Sequence, residues 1–366
     1  MDALLLAIDN SATAIISDVA RRADISVSTL QLHDSIDPLT AQTASGTRNR
    51  LLLVGHADCP TVLRHALPGD VVACVDHPST DATITETSSS AEDATDQTAL
   101  YLRIHRTSPE HLLAEVAYLP DDPRSHTLAR QLAGQLIDWK LPAIVIRGTQ
   151  GLIIDRLLST LFVEAIRLHE EGIFSMQETD SLMQTFGGWC TGPFAFMDDQ
   201  GLDEQLATIQ HTYQVRNLDS PPLRMLAHLV EKQNLGRKSG QGFYLYDALA
   251  RLPACNMERK NFALTPLLEG AILAFAARCD ALDAASTEHY ALARLHCTVI
   301  NEAARMFDEG LAQSDAIDIA WQGLAFALGP LQLADQIGHR TVRGVLHAMN
   351  DALESDRYQT ARLFDS

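Results

Sequence analysis

The first residues whose types and spacing could do chemistry lie at a predicted turn near the N-terminus. The apolar run Ala3–Ile8 and the helical spacing of Ser11–Arg22 predict a strand followed by a helix. At such a turn, glycines let the backbone approach the pyrophosphate of a dinucleotide. Here the turn reads Asp9-Asn10-Ser11-Ala12-Thr13-Ala14, which contains no glycine, and Asp9 would place a negative charge beside a phosphate. The sequence therefore predicts no tight dinucleotide binding at this turn.

Asp34 is the second residue with a chemical expectation in this region. It follows the next predicted strand, Ser26–Leu32, where a dinucleotide-binding fold places an acid that bonds the ribose. A turn residue is the alternative interpretation, because aspartate is common where a strand ends in a turn. Asp34 is thus a candidate cofactor ligand with an ordinary structural alternative.

Alternating elements must position these residues. Further strands are predicted at Arg50–Val54 and Asp70–Val75, with a helix at Pro60–Leu67 between them. Strands that alternate with helices favour a parallel sheet and a Rossmann-like α/β topology.

Composition limits the classes of partner and compartment. The chain has 366 residues, with 46% hydrophobic and 20% charged residues, which is typical of a globular protein. Its net charge of -19 argues against nucleic acid or an anionic membrane as the main partner. The six cysteines show no metal-ligand spacing, and the N-terminal apolar run is too short for a membrane span. We therefore expect a cytoplasmic protein with reduced thiols, no metal site, no signal peptide and no membrane anchor.

The segment from Arg156 to Gly201 occurs a second time, 138 residues further along the chain. Ten identities keep one order, with a single residue deleted from the second copy. They pair Arg156, Glu164, Arg167, Glu171, Gly172, Asp180, Gly192, Pro193, Asp198 and Gly201 with Arg294, Glu302, Arg305, Glu309, Gly310, Asp318, Gly329, Pro330, Asp335 and Gly338. This repetition predicts two copies of one helical unit.

Apolar spacing and capping residues predict the helices of the first copy. Leu152–Glu171 carries a wide apolar stripe and is followed by Gly172, and a second helix is predicted over Gln177–Thr185 with Ser175 as its N-cap. The predicted organisation is a degenerate Rossmann-like domain over residues 1–148, a first helical substrate domain over 149–247, a linker over 248–266 and a second helical repeat over 267–366.

From Thr85 onward, over about three quarters of the chain, six segments in one order resemble motifs of the 3-hydroxyacyl-CoA dehydrogenase family. They are Thr85–Ser89, Ile104–Pro109, Leu113–Val116, Gly151–Arg156, Gly187–Phe194 and Gly236–Tyr244. The last segment is nearly identical to the family's glycine-rich motif, and the duplicated helical unit resembles that of longer members. The resemblance implies a Rossmann-like N-terminal domain followed by two all-α repeats of the family's C-terminal type.

The resemblance also implies site residues. In that family, a histidine paired with a glutamate takes the proton of the substrate's 3-hydroxyl while nicotinamide accepts the hydride. By resemblance, His105 would be the base and Glu115 its partner, since a neighbouring carboxylate orients an imidazole and stabilises its charged form. Ser88 would hydrogen-bond the substrate oxygens, and Asp155 stands where the family uses asparagine to hold the substrate carbonyl.

Asp155 differs from an asparagine in the chemistry it can do. An amide can donate a hydrogen bond to a carbonyl or enolate oxygen, whereas an ionised carboxylate only accepts and would repel a developing oxyanion. Asp155 is therefore protonated, or has another role, or is simply a carboxylate favoured by the helix dipole. The second copy has Ala293 at this place, so we expect the first copy to line the substrate cleft and the second to support it.

Arg237 and Lys238 lie in the last of these motifs and allow two interpretations. Their charges could neutralise a phosphate, or the surrounding glycines could make this a structural loop that closes the helical domain. Structural loops of this kind are the more common case.

These observations predict an enzyme in which His105 and Glu115 do acid–base chemistry. Its substrate would be a 3-hydroxy- or 3-oxoacyl thioester, such as an acyl-CoA, or a related β-functionalised acid. Without NAD, the open reactions are dehydration, retro-aldol cleavage and hydrolysis. One alternative is an NAD-dependent dehydrogenase with an unusual cofactor turn, and another is a non-catalytic relative that binds an acyl ligand or a partner protein. A homodimer through the helical domains is also possible.

Overall fold

A computed structural model describes residues 51–55, 71–75, 98–106, 112–148, 151–218, 223–246, 251–253, 263–279 and 286–365. The chain divides into two compact units, Met1–Gln150 and Gly151–Ser366. The predicted dinucleotide turn at residues 9–14 lies outside the described residues, as do Asp34 and Ser88. Across the described ranges, no helix is both long and apolar enough to cross a membrane.

The described strands of the N-terminal unit form one sheet in chain order. They are β1 (Leu51–Gly55), β2 (Val71–Val75), β3 (Thr98–Arg106), β4 (Leu112–Tyr118) and β5 (Ala143–Arg147). The first two lie within one residue of the strands predicted there. β1, β2 and β3 run parallel, as do β4 and β5, but β3 and β4 run antiparallel. The parallel pairing expected of the strands near residues 50–75 is confirmed for β1 and β2. The antiparallel β3–β4 pair lies outside that expectation, and residues 107–111 are too few for a parallel crossover between its strands.

Helix α1 (Pro123–Asp138) packs on one face of this sheet. Its N-cap is Asp122, whose carboxylate accepts a hydrogen bond from the backbone N–H of Arg124 at 2.9 Å. The core beneath it consists of alternate strand residues and apolar helix residues, among them Leu100, Leu102, Leu112, Ala114, Val116, Ala129, Leu132 and Leu136. Because side chains alternate along a strand, His105 and Glu115 lie on the opposite face of the sheet.

The C-terminal unit contains the two helical copies. The first consists of α2 (Ile153–Glu170), α3 (Met176–Thr185), α4 (Pro193–Gln200), α5 (Leu202–Val215) and α6 (Arg224–Glu231). A short hairpin of β6 (Tyr244–Tyr246) and β7 (Arg251–Pro253) and then α7 (Pro266–Ala276) follow. The second copy comprises α8 (Ser286–Asp308), α9 (Ser314–Gln322), α10 (Pro330–Ile337) and α11 (His339–Leu353). Helices α2 to α5 and α8 to α11 are equivalent in order and spacing.

A buried aspartate stabilises the same helix start in each copy. Asp180 accepts hydrogen bonds from two backbone N–H groups in the first turn of α4, at 2.9 and 3.0 Å. Asp318 likewise accepts two from the first turn of α10, at 2.8 and 3.5 Å. Gly192 and Gly329 precede these helices, and a Cβ at either position would clash with the aspartate side chain. This contact explains why the aspartate and the Gly-Pro pair recur together in the repeat.

Buried ion pairs join the two copies across α2 and α8. Arg156 of α2 is almost fully buried, and it donates to Glu302 at 2.7 Å and to Glu309 at 2.6 Å, both on or just after α8. Arg216 donates to the second oxygen of Glu302 at 3.0 Å. The first copy's arginine is therefore neutralised by the second copy's carboxylates.

The equivalent arginine of the second copy makes the reciprocal pairs. Arg294 of α8 donates to Glu164 at 2.7 Å and to Glu171 at 2.5 Å in the first copy. Burial alone would raise the pKa of Glu164, but the charges of Arg294, Arg167 and Arg357 outweigh it and lower that pKa to about 2. Each arginine therefore binds glutamates of the other copy. Such reciprocal contacts are the pattern that a twofold axis produces between two identical subunits, so the two copies have internal pseudo-twofold symmetry.

Equivalent aromatic residues also meet between the copies. Trp189 and Phe326 each precede the helix-capping glycine by three residues, and their rings stack with centroids 4.5 Å apart. The indole N–H of Trp189 donates to the carbonyl of Leu324 at 2.9 Å, and the backbone N–H of Ala327 donates to Gly188 at 2.9 Å. These two hydrogen bonds join the same two segments whose rings stack, so polar and aromatic contacts together hold the copies in contact here.

Candidate functional site

His105 and Glu115 meet on the face of the sheet opposite α1. The antiparallel register pairs His105 with Leu113 and Glu115 with Arg103, so His105 and Glu115 are diagonal neighbours on one face. Diagonal positions are about 7–8 Å apart, which long side chains can bridge. The Nε2 atom of His105 lies 2.5 Å from Oε2 of Glu115. The Glu115 side chain is completely buried and that of His105 is 9% exposed.

This contact determines which imidazole nitrogen can do chemistry. An ionised carboxylate can only accept, so Nε2 of a neutral His105 carries the hydrogen that Glu115 accepts. The lone pair of the imidazole is then on Nδ1. A buried carboxylate in this position orients the ring and stabilises the imidazolium that forms when Nδ1 takes a proton. The pair can therefore act as a general base followed by a general acid.

Arg103 is a residue that the sequence reasoning missed. It lies two residues before His105 on β3 and directly opposite Glu115 on the same face of the sheet. The antiparallel register therefore places a basic residue directly across from the glutamate that contacts His105. The signal available in the sequence was the period of two along β3, which places Arg103 and His105 on one face.

The remaining predicted site residues lie in the other unit or outside the described residues. Asp155 lies in the C-terminal unit, half-buried in the first turn of α2, where a carboxylate interacts favourably with the helix dipole. Ser88 and Asp34 lie outside the described residues, so the structure says nothing about their contacts. In the described ranges, no group of three or more His, Cys, Asp or Glu residues could hold a metal ion.

The glycine-rich segment at residues 236–244 wraps around one buried carboxylate. Asp198, at the end of α4, accepts hydrogen bonds from the backbone N–H groups of Phe243 and Tyr244 at 2.9 and 3.0 Å. The Tyr246 hydroxyl donates to it at 2.8 Å. A Cβ at Gly236 or at Gly242 of this segment would clash with Asp198. The motif is therefore explained by how the chain closes around Asp198.

The basic residues of that segment are paired with acids. Arg237 donates to Asp199 at 2.5 Å, and Lys238 lies 2.6 Å from Asp203. Both pairs are substantially exposed, with side-chain exposures between 39% and 59%. These contacts favour the structural interpretation of the loop over a phosphate site.

Comparison with known proteins identifies the class to which this architecture belongs. Residues 151–246 and 290–366 match the family described as 3-hydroxyacyl-CoA dehydrogenase, C-terminal domain. The mitochondrial hydroxyacyl-coenzyme A dehydrogenases of Mus musculus and Homo sapiens are each 36% identical over 102 residues, which is 27% of this chain and 32% of theirs. A probable 3-hydroxyacyl-CoA dehydrogenase of Caenorhabditis elegans is 36% identical over 118 residues, 31% of this chain and 38% of that protein. The matches span about a third of the length of these relatives.

Solved structures extend the likeness of the fold to nearly the whole chain. The 3-hydroxybutyryl-CoA dehydrogenase of Escherichia coli K12 has a TM-score of 0.74 at 18% identity, over 99% of this chain and 97% of that one. The dehydrogenase part of multifunctional enzyme 1 from C. elegans has a TM-score of 0.61 at 14% identity, over 99% and 88%. The fold is thus a Rossmann-like domain followed by helical domains. Both helical copies belong to the family of the 3-hydroxyacyl-CoA dehydrogenase C-terminal domain, and the fold of nearly the whole chain is similar to that of the Escherichia coli 3-hydroxybutyryl-CoA dehydrogenase.

Proposed function

We propose that this protein is an enzyme that acts on a 3-hydroxyacyl or 3-oxoacyl thioester through His105, with Glu115 as the orienting carboxylate. The observation that carries the proposal is the contact of 2.5 Å between His105 Nε2 and a completely buried Glu115. A buried carboxylate that bonds one imidazole nitrogen leaves the other nitrogen to exchange a proton with a substrate. Membership of the family supports an acyl-CoA as the form of the thioester.

The first step would be a proton transfer to Nδ1 of His105 from the 3-hydroxyl group. The alkoxide formed in this way collapses to a carbonyl when it expels a group from C3. Without a hydride acceptor, the expelled group is the C2 carbon, which leaves as a thioester enolate and is then protonated by the imidazolium. This is a retro-aldol cleavage, and no proton or electron pair is left over. Dehydration and thioester hydrolysis use the same pair but begin at C2 or at a water molecule.

Whether NAD fits this protein is judged from the sequence, because the predicted cofactor turn lies outside the described residues. The turn that the sequence predicts at residues 9–14 has no glycine to let the backbone approach a pyrophosphate, and Asp9 adds a negative charge. These residues do not fit the dinucleotide, so we derive no step through it. A reaction that needs no hydride acceptor is therefore our leading proposal.

The second candidate is an NAD-dependent 3-hydroxyacyl-CoA dehydrogenase with an unusual cofactor turn. Its support is the likeness in fold to the Escherichia coli 3-hydroxybutyryl-CoA dehydrogenase over nearly the whole of both chains. In that reaction His105 would take the same hydroxyl proton, so the two candidates share the base and differ in the group that leaves C3.

The test is to incubate the full chain with 3-hydroxybutyryl-CoA and acetoacetyl-CoA, with and without NAD⁺ or NADH, and to identify products by mass spectrometry. We expect His105→Ala to lower product formation by about 10²–10⁴-fold, the usual contribution of a general base. Glu115→Gln keeps an acceptor but loses the charge, so we expect a smaller loss at neutral pH. His126→Ala is the matched control, because His126 is an exposed histidine of α1.

Each outcome separates the candidates. Product that forms without NAD and depends on His105 supports the leading proposal. Saturable NADH binding in a fluorescence titration, together with His105-dependent reduction of acetoacetyl-CoA, would replace it with the dehydrogenase. Binding of acyl-CoA without any His105-dependent product would show a non-catalytic binding protein instead.

A further inference from the structure

A cavity lies in the C-terminal unit at the end of α2. It has a volume of about 750 Å³ and is open to solvent. It is lined by three parts of the chain: the last turn of α2, helix α6, and the short helical turn Asp356–Tyr358 near the C-terminus. The lining residues are Arg167, Glu170, Glu171, Arg224, Met225, His228 and Arg357.

The cations of this cavity come from all three of these parts. Arg167, Arg224 and Arg357 each contribute a guanidinium, and the exposed His228 contributes an imidazole. Convergence of three arginines is unusual on a chain whose net charge is -19. Guanidiniums that converge on one cavity repel one another, and an anion bound between them offsets this repulsion.

Two of the arginines are anchored by the same buried carboxylate. Arg167 donates one N–H to Glu164 at 2.8 Å, and a terminal nitrogen of Arg357 lies 4.0 Å from the same oxygen. Arg357 also donates to Ser355 at 2.8 Å. A guanidinium has five N–H donors, so both arginines keep donors beyond these contacts while their positions are fixed.

The acids that line the cavity are already engaged. One oxygen of Glu170 accepts the backbone N–H of Met225 at 3.1 Å. Both oxygens of Glu171 accept hydrogen bonds from the buried Arg294, at 2.5 and 2.9 Å. Glu171 is thus neutralised by an arginine that does not line the cavity. Together with Glu164 and Arg294, which these residues contact, the cluster holds four guanidiniums against three carboxylates, an excess of one positive charge.

We propose that this cavity binds a phosphorylated small molecule, with the phosphate between Arg167, Arg224 and Arg357. The planar guanidinium matches two phosphate oxygens at once, and phosphate carries the charge that three arginines can neutralise. The volume exceeds that of a phosphate and leaves space for an organic part beside Met225.

This site is separate from Asp155 and does not depend on the proposed catalytic function. Asp155 and Glu171 lie at opposite ends of α2, 16 residues apart, which corresponds to about 24 Å along the helix axis. A ligand at Arg167 therefore contacts other residues than one at Asp155. Failure of the catalytic proposal would leave this one untouched, and the reverse also holds.

The test uses isothermal titration calorimetry of the full chain with inorganic pyrophosphate and with succinate, at constant ionic strength. We expect saturable binding of pyrophosphate that is weakened about tenfold or more in Arg224→Ala, as for loss of a charged hydrogen bond. Arg224 is exposed, so this substitution should leave the urea unfolding midpoint unchanged.

The second copy provides the matched control, Arg362→Ala. Arg362 is exposed and lies 138 residues after Arg224, and the next residue, Leu363, donates to Asp308 as Met225 donates to Glu170. We expect this variant to bind pyrophosphate like the wild type. No saturable binding, an equal loss in Arg362→Ala, or tighter binding of succinate than of pyrophosphate would each overturn the assignment.

Discussion

In the first helical copy Asp198 is buried and accepts three hydrogen bonds from the segment that follows α6, whereas the equivalent Asp335 in the second copy is 78% exposed and pairs with His339. The same residue type at the same place in the repeat therefore does two different things. The cause is the segment at residues 236–246, which only the first copy carries next to this aspartate. Identity between repeats preserves a side chain, and its surroundings decide its function.

Other repeated residues keep the same function in both copies. Arg156 and Arg294 each bind two glutamates of the opposite copy, and Asp180 and Asp318 each stabilise the start of the next helix. These contacts lie between the copies or inside each of them. The two helical copies thus make equivalent contacts where they pack against each other and at the helix starts. They differ at Asp198 and Asp335, where the first copy contacts the segment at residues 236–246.

The largest expected effect comes from breaking the reciprocal arginine–glutamate ion pairs between the two copies. Arg294→Met leaves Glu164 buried with only part of its neutralising charge, and we expect a loss of about 3–5 kcal/mol in the free energy of unfolding. Urea unfolding measures it. The reciprocal exchange predicts a comparable loss from Arg156→Met.

The double variant Arg294→Met, Glu164→Met is the control for this first prediction. Replacing both partners of a buried pair by apolar side chains costs less than removing one. We expect the double variant to be more stable than the sum of the two single losses predicts. Additive losses would contradict direct coupling between Arg294 and Glu164.

The second prediction tests the difference between Asp198 and Asp335. Asp198→Ala leaves two buried backbone N–H groups and a tyrosine hydroxyl without their acceptor, so we expect a loss of about 2–4 kcal/mol. Asp335→Ala removes an exposed pair with His339, and we expect less than about 0.5 kcal/mol. Thermal and urea unfolding of both variants check this. Equal losses would mean that the two copies use this aspartate in the same way.

Much of the helical unit could be predicted from the sequence because its signals are local. The helix predicted over Leu152–Glu171 is observed over Ile153–Glu170, and the predicted N-cap Ser175 accepts a hydrogen bond from Glu178. The ion-pair exchange could not be derived in this way. Its partners are 146 and 130 residues apart, so the repeat revealed that these residues recur without showing that each binds the other copy.

For the candidate site, the sequence likewise indicated the residues but not their contacts. The resemblance selected His105 and Glu115, and period-two alternation on strands could have added Arg103. The distance between His105 and Glu115 depends on the antiparallel register of β3 and β4, which the alternation of residues along either strand does not specify. The roles of His105, Glu115, Ser88, Asp155 and Asp34 stay predictions until they are measured.

The third prediction concerns a histidine that only the second copy has. Burial lowers the pKa of His296 to about 4, below the value of about 6.5 in an unfolded chain. The unfolded chain therefore takes up a proton that the folded chain excludes. This contribution to the free energy of unfolding is fully present above pH 6.5 and is lost as the pH falls toward 4. At pH 5 the loss amounts to about 2 kcal/mol.

The matched variant is His296→Leu, because Leu158 occupies this position in the first copy. We expect the free energy of unfolding of this variant to depend less steeply on pH between 6.5 and 5. Burial also lowers the pKa of His169, which should account for part of the slope that remains. An unchanged slope would show that His296 does not contribute.

The smallest expected effect comes from giving the second copy the helix start of the first. Ser175 and Glu178 form a capping box at α3, whereas Gln313 precedes α9 without a side-chain cap. Gln313 is exposed and has extended backbone angles, which a capping serine also adopts. We expect Gln313→Ser to stabilise the chain by about 0.5–1 kcal/mol and Ser175→Ala to destabilise it by about 1 kcal/mol. If urea unfolding shows no gain from Gln313→Ser while Ser175→Ala costs the expected amount, the start of α9 is limited by its packing and not by its missing cap.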